Sequence, residues 1–595
     1  MAEIASEAPN MEEFVETFLA GLKQIRETTH GPDGEFPVAE EEVEHYGTVQ
    51  RYQCFQRGPN SVVRLTLPEL YTDCFARYND KEFLIFEETR LTFGATMEAA
   101  VALSRSIKKE FALERGARVA IAGRNYPEWV VCWLCVNGYL NGVSLPVNSW
   151  WQGDELRYGL EDSTSSLFMA DLERVQRAPF LKELNIPGIC FRAGSNQIPE
   201  GSWRYEDLVD AGRHLPPLQP QPVQQDDDAM LMYTSGTTSK PKGVLSTHRN
   251  IMTAVNQYRA WYEAQGPNVL LMASPFFHVN GSHVGILHAL FRGSKLVSLY
   301  KWDATRALEV IQAEKVNTII GVPTNTYDLV NHPDFDKYDT SSMGLVGGGG
   351  SAFAAPMIKR VKDKFKKANA QTGYGLTESN AITIAMNAAI FPARPTSCGL
   401  PAVHQEVCIL SESNEKLPPG GVGEICLRGA NIMKEYWGKP EKTAEVFHFD
   451  KEGQLWFRTG DLGTCDAQQF VYILDRAKDI IIRGGENISC AEVEDACYEH
   501  PSIAEVAAVG VPHETYGEAV AVVVVFKAGA AELTLEELKK HAAARLAGFK
   551  VPAEMFVWED GSLPRGATGK MQKREIRERV KEIRTAQQER IPSKL

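Results

Sequence analysis

The stretch at residues 233–243, YTSGTTSKPKG, constrains this chain more than any other. Ala229, Met230, Leu231 and Met232 before it are apolar and predict the end of a buried strand. Thr234, Ser235, Gly236, Thr237 and Thr238 then follow without a break. Gly236 and Gly243 open backbone angles closed to other residues. Hydroxyls and freed amides in such a loop can donate to an anion, and Lys240 and Lys242 add positive charge. Ile251, Ala254, Val255 and Tyr258 recur at helical spacing, so a helix is expected to leave the loop. Strand, anion-binding loop and helix together make the layout of a nucleotide site. The common P-loop ends in Gly-Lys-Ser/Thr, whereas Lys242-Gly243 is followed here by Val244. The competing reading is an ordinary polar surface loop.

A chain of 595 residues is too long for one core, so at least two domains are expected. The formal net charge of -14 opposes broad binding to nucleic acid or anionic membranes. The 11 cysteines are scattered and odd in number, which fits a reducing compartment. Cys132 and Cys135 form a lone C-x-x-C inside an apolar run and read as small core residues. The most apolar stretch, 130–147, is broken by Asn137, Gly138, Asn141 and Gly142, so no transmembrane span is expected. The first residues are acidic and do not resemble a signal peptide. The chain ends in Ser593-Lys594-Leu595, the tripeptide read by the peroxisomal import receptor, so a peroxisomal location is expected.

Residues 1–64 are acidic and weakly patterned, with one helix expected at 14–22 and a mobile arm packed on the main domain as the default. From residue 65 strands and helices alternate: strands at 118–122, 143–147, 269–273, 295–299, 318–322 and 343–346, with helices at 127–140, 155–162, 282–291, 304–314 and 355–366. This alternation predicts parallel sheets covered by helices. Strands dominate later, at 406–410 and 423–428. Residues 478–595 carry a separate pattern of strands and helices, a small α+β domain of a size that can fold alone.

The 233–243 string resembles the phosphate-binding loop of the adenylate-forming superfamily, which includes acyl-CoA synthetases, aryl-CoA ligases, beetle luciferases and peptide-synthetase adenylation domains. Further motifs of that superfamily follow in order over roughly residues 65–580: YGLTE at 374–378, RTGD at 458–461, DRAKD at 475–479 and PRGATGK at 564–570. The resemblance implies a large α/β N-terminal domain with parallel-sheet subdomains at 65–477. It implies a small mobile α+β C-terminal domain at 478–595, hinged at Lys478.

The resemblance also implies roles. Thr234, Ser235, Gly236, Thr237, Thr238 and Lys242 would bind the phosphates of ATP. Gly349 and Gly350 would wall the adenine and acyl pocket, and Tyr374 and Gly375 would meet the base. Asp461 would accept the ribose hydroxyls and Arg476 would contact ribose and phosphate. Thr377, Glu378 and Lys570 would be catalytic, with Glu378 and Thr237 on Mg2+. His278 would gate the acyl tunnel, and Gly484, Gly485 and Glu486 would line the tunnel for coenzyme A. The implied reaction activates a carboxylic acid with ATP and passes the acyl group to coenzyme A. Glu486-Asn487-Ile488 and Ser379-Asn380 resemble the fatty-acyl version of these motifs, so a medium- or long-chain acid is favoured. An aryl or specialised acid, a luciferase-like activity, and a catalytically silent AMP or acyl sensor stay open.

Overall fold

The computed structural model describes residues 11–589, except 59–60, 220, 235–239, 263–266, 351–354, 477–478, 484–485, 514, 528 and 567–570. Ser235, Gly236, Thr237, Thr238, Lys478, Gly484, Gly485, Lys570 and the Ser593-Lys594-Leu595 terminus therefore lie outside the described residues, as does the side chain of Arg476.

Short apolar runs between turn residues become central parallel strands, because both of their faces are covered by helices. Among the described residues, two such sheets form the body of the large domain. The first has eight strands in the order Glu435–Tyr436, Lys242–Thr247, Asp228–Thr234, Val143–Val147, Arg118–Ala122, Leu167–Asp171, Gly188–Phe191 and Ser202–Arg204. From Asp228–Thr234 onward the pairing is parallel. The second has nine strands, with a parallel centre formed by Asn369–Leu376, Leu345–Gly349, Thr318–Gly321, Val269–Met272, Lys295–Ser298 and Glu82–Phe86. Helix Pro127–Cys135 lies in the main core, with Trp129 and Trp133 fully buried and their rings stacked. Cys132 and Cys135 are free and fully buried, as small core residues.

A third, antiparallel sheet contains Glu406–Leu410, Gly423–Arg428, Leu455–Cys465, Phe447–Phe449 and Val471–Arg476. The C-terminal unit is built on Ile503–His513 paired with Gly517–Phe526, flanked by helices Cys490–Tyr498, Leu535–Ala543 and Lys573–Glu589. It meets the large domain where the Tyr498 ring packs edge-on to Tyr327 and under Arg360. No helix among the described residues is long and apolar enough to cross a membrane.

Two helices depart from the expected periodicity. The run expected at 127–140 is α-helical over Pro127–Cys135 and then widens to a π-helix over Val136–Leu140. The run expected at 282–291 is a π-helix over Asn280–Leu287 followed by a short α-helix, His288–Arg292. Gly281 explains part of this: a Cβ there would lie 2.0 Å from the Pro275 carbonyl oxygen, so bare backbone is packed against backbone.

Residues 11–58 and 61–64 pack on the main domain. Helix Met11–His30 buries Val15 and Phe18 in the core of the second sheet. Strands Val38–His45 and Thr48–Phe55 form an antiparallel hairpin. His45 Nε2 donates to the Met433 carbonyl at 3.0 Å, which leaves Nδ1 to accept from the Tyr52 hydroxyl at 2.8 Å. Leu455 N donates to Gln50 Oε1 at 3.0 Å, so the hairpin is stitched to the third sheet.

Burial lowers the His45 pKa to about 4 and the His404 pKa to about 3. Neither ring nitrogen of His404 has a hydrogen-bond partner among the described residues. A histidine that is harder to protonate folded than unfolded contributes stability above pH 6.5, and this is lost as pH falls toward the folded value. By pH 5 about 2 kcal/mol of the His404 contribution has been lost. His404→Leu is expected to reduce the loss of stability between pH 7 and pH 5 by that amount in urea unfolding. An unchanged pH difference would contradict it.

Candidate active site

The glycine- and hydroxyl-rich loop joins two antiparallel strands, Asp228–Thr234 and Lys242–Thr247, in the register Thr234–Lys242 and Tyr233–Gly243. A strand therefore leaves the loop, and helix His248–Tyr262 begins only after it. The expected direct step from loop to helix N-terminus is not what forms. Residues 243–247 are all buried, since their strand lies between 228–234 and 435–436, and that burial favours the extended state. Strand Lys242–Thr247 thus separates the loop from the N-terminus of helix His248–Tyr262. Gly243 is closely packed: a Cβ there would lie 2.9 Å from Leu231 Cδ1, which would have to shift.

The flanks of the loop are tied to one carboxylate that the sequence reading passed over. Asp162 Oδ2 accepts from the Tyr233 hydroxyl at 2.7 Å and Oδ1 from Lys439 Nζ at 2.7 Å, while its carbonyl accepts from Trp437 Nε1 at 3.0 Å. Tyr158 OH donates to the Pro241 carbonyl at 3.0 Å, and Lys240 Nζ stands 4.7 Å from the Tyr158 ring centroid.

The YGLTE residues sit where strand Asn369–Leu376 ends in the turn Thr377–Ser379. Asn380 and Ala381 follow at φ +56° and +85°. Left-handed backbone is tolerated by asparagine and strained for alanine. The turn is over-determined by buried amides that hold this strain. Asn380 Nδ2 donates to the Asn431 carbonyl at 2.9 Å, Asn431 Nδ2 to the Ser379 carbonyl at 3.1 Å, and Met433 N to the Glu378 carbonyl at 2.7 Å. The Glu378 carboxylate accepts from the Tyr436 hydroxyl at 2.7 Å. Gly375 has a structural reason: a Cβ there would lie 1.7 Å from the Ala381 carbonyl oxygen.

Gly347, Gly348 and Gly349 were expected after a strand and lie within one, Leu345–Gly349. Gly349 pairs with Gly373, and Gly350 follows at φ +83°, which glycine alone adopts readily. Beside them the Tyr374 hydroxyl donates to Asp461 Oδ2 at 2.7 Å. Burial, reinforced by Asp461, pushes the Tyr374 pKa far up, so the hydroxyl stays a donor. The Tyr374 ring is itself buried, in a cluster with Ile384, Cys398 and Ile425. Asp461 lies in strand Leu455–Cys465 directly opposite Arg476 in strand Val471–Arg476. Gly460 at φ +73° lets the strand continue through the Arg-Thr-Gly-Asp sequence.

His278 precedes the π-helix. Its Nδ1 accepts from Asn280 N at 3.3 Å, which leaves the proton on Nε2 of a neutral ring. Glu486 is exposed at the start of the short strand Glu486–Ile488, opposite Arg483. The base of the 564–570 loop is closed by Gln572 N donating to the Pro564 carbonyl at 2.9 Å and by pairing of Arg565 with Met571. Arg565 is in turn held by Glu505 at 2.7 Å.

The structure thus joins the expected residues into two connected groups. Gly349, Tyr374, Asp461 and Arg476 form one, through strand pairing and the Tyr374–Asp461 hydrogen bond. Thr377, Glu378 and Lys242 form the other, joined by Tyr436. Tyr436, Asp162 and Asn431 were missed because a tyrosine, an aspartate and an asparagine each lack a local signature. Their partners lie far along the chain.

Residues 72–437 match the family model described as AMP-binding enzyme, and residues 492–570 match the AMP-binding enzyme C-terminal domain. The long-chain-fatty-acid–CoA ligase of Bacillus subtilis (strain 168) is 34% identical over 547 residues, covering 86% of this chain and 94% of that protein. Feruloyl-CoA synthase of an Amycolatopsis species is 32% identical over 491 residues, covering 82% and 94%. The crystal structure of the anthranilate CoA ligase AuaEII in complex with anthranoyl-AMP superposes with a TM-score of 0.79 at 21% identity, covering 88% of this chain and 99% of that one, a likeness of fold. With both family models matched in order, the chain belongs to the AMP-binding enzymes, the adenylate-forming family of acyl-CoA ligases.

Proposed function

We propose that this enzyme activates a medium- or long-chain aliphatic acid. In the first step a carboxylate oxygen of the acid bonds to the α-phosphorus of ATP. The bond from that phosphorus to the bridging oxygen breaks, and pyrophosphate leaves with the electron pair. In the second step the sulfur of coenzyme A bonds to the acyl carbon, the acyl–oxygen bond breaks and AMP leaves.

The observation that carries the adenylation half is the pair of connected groups, Tyr374 with Asp461 and, through Tyr436, Glu378 with Lys242. Asp461, oriented by Tyr374, accepts the ribose hydroxyls, and Arg476 stands opposite it on the next strand. The loop and Lys242 receive the phosphates. Glu378 and Thr377 bring hard oxygen donors, a set that suits Mg2+, which takes one or two carboxylates and completes its shell with phosphate oxygens. Bound there, Mg2+ supplies charge neutralisation on the phosphates. The protein's own part is to fix the reactants beforehand and to place positive groups where two anions meet.

The choice of acid is supported by Glu486-Asn487-Ile488 and by the similarity to the Bacillus long-chain-fatty-acid–CoA ligase. The similarity to feruloyl-CoA synthase makes an aromatic acid the second reading. Thioester formation with ATP, Mg2+ and coenzyme A, measured over saturated acids from acetate to palmitate beside coumarate and benzoate, is expected to peak among the longer aliphatic acids. A peak on the aromatic acids would overturn the choice of acid and leave adenylation standing. An absence of ATP–pyrophosphate exchange with every acid would favour the sensor reading.

A further inference from the structure

The segment at 433–439 crosses the edge of the first sheet and touches both sides of the site. Met433 N donates to the Glu378 carbonyl at 2.7 Å, Lys434 N to the Leu245 carbonyl at 2.9 Å, and Trp437 N to the Gly243 carbonyl at 2.8 Å. Strand Glu435–Tyr436 pairs antiparallel with Lys242–Thr247, with Tyr436 opposite Val244. The segment is a strap that fixes the strand leaving the phosphate loop relative to the Glu378 turn.

Tyr436 is the residue of this strap that reaches the chemistry from both ends. It is 3% exposed, and its backbone N–H is held by Thr443 Oγ1 at 3.0 Å. Its hydroxyl donates to Glu378 Oε1 at 2.7 Å. Its ring carries the Lys242 ammonium 3.8 Å from the centroid, a close cation–π contact. The hydroxyl fixes one carboxylate oxygen, and the ring face fixes the direction of a lysine from the loop. A buried, rigid aromatic side chain thereby sets the separation between a cation and an anion that must act on one polyphosphate.

We infer that Tyr436 is a positioning residue for the nucleotide–metal complex: through its hydroxyl it orients the Glu378 carboxylate toward the cation, and through its ring it orients Lys242 toward the phosphates. The inference rests on the adenylation reading and assigns a role to a residue outside its motifs.

Tyr436→Phe removes the hydroxyl and keeps the ring under Lys242. The decisive experiment is calorimetric ATP binding with and without Mg2+, on the wild type, Tyr436→Phe, Glu378→Gln and the double variant. Tyr436→Phe is expected to bind Mg2+-free ATP as the wild type does. It is expected to lose about tenfold of the tightening that Mg2+ brings, the size of one hydrogen bond to a charged group. In the Glu378→Gln background the same change is expected to add nothing, because its target has gone. Tyr436→Leu, which also removes the ring, is expected to weaken Mg2+-free ATP binding as well. Undiminished Mg2+ tightening in Tyr436→Phe, or an equal loss with Glu378 already replaced, would overturn the inference alone. A wild-type protein that bound no ATP would overturn the proposed function and this inference with it.

Discussion

Replacing Lys570 with alanine is expected to slow ATP–pyrophosphate exchange by about 10²–10³, while thioester formation from supplied acyl-AMP and coenzyme A stays close to wild type. The loss corresponds to about 2.7–4 kcal/mol of transition-state stabilisation, the amount assigned to one preorganised group at a developing charge. The lysine itself lies outside the described residues, and the prediction draws on its context. Pro564-Arg565-Gly566-Ala567-Thr568-Gly569-Lys570 has small residues before the lysine, and the ends of this stretch are joined by the Gln572–Pro564 hydrogen bond and the Arg565–Met571 pairing. Arg565 is anchored to Glu505 on strand Ile503–His513, so the loop is carried by the C-terminal unit. A group carried on that unit can serve one half-reaction and leave for the other when the unit moves. Parallel loss of both half-reactions would contradict a role confined to adenylation. Full exchange activity would remove Lys570 from the site. Lys570→Arg separates charge from geometry: a bare need for a cation is met by it, and a need for a compact ammonium is not.

The parts of the fold that could be read directly were those with one dominant local signal. Strands Arg118–Ala122 and Val143–Val147 and helix Ala304–Glu314 fall at their expected bounds, because short apolar runs and a clean helical period leave little choice. The strand at 242–247 was missed because Ser239-Lys240-Pro241-Lys242-Gly243, which runs into it, reads as a turn and the helical spacing after it was extended backwards. What makes it a strand is its position between two partners, one of them about 190 residues away, at Glu435–Tyr436. The N-terminal hairpin was hidden in the same way. Glu40, Glu41, Glu42 and Glu44 read as a solvated acidic arm, whereas Val43, His45 and Tyr52 find their cover on residues 430–447.

In the site, the motif residues could be named from the sequence, since each motif is local. The links between them could not, because Tyr436, Asp162 and Asn431 act across 58, 71 and 52 positions of chain. The two π-helices also escape a reading that assumes 3.6 residues per turn. Widened turns of this kind frequently occur at functional sites, and the one at Asn280–Leu287 begins two residues after His278.

Arg174→Ala is expected to destabilise the large domain by about 3–5 kcal/mol in urea unfolding, because it leaves a buried carboxylate without its partner. Arg174 and Asp171 are 2% and 3% exposed, and Arg174 Nη1 lies 3.0 Å from Asp171 Oδ2. Arg174 Nε also donates to the Ser149 carbonyl at 3.0 Å, so the pair braces the turn that follows strand Val143–Val147. Asp171 Oδ1 accepts from Arg174 N at 3.0 Å and caps helix Leu172–Gln176. Burial raises the Asp171 pKa even with Arg174 in place, and removing the guanidinium takes away the main opposing pull. A carboxyl with a raised folded pKa binds its proton more tightly folded than unfolded. Its charged form therefore costs stability at neutral pH, and the cost fades as pH falls toward the folded pKa. The Arg174→Ala defect is accordingly expected to shrink on acidification, opposite in direction to the loss caused by the buried histidines. Comparing wild type and variant at each pH cancels the histidine contribution, which both proteins share. Replacing Asp171 and Arg174 together by apolar residues is expected to recover much of the loss, since it removes the stranded charge. A defect that did not vary with pH, and that the double replacement deepened, would mean that packing rather than charge pairing sets the role of Arg174.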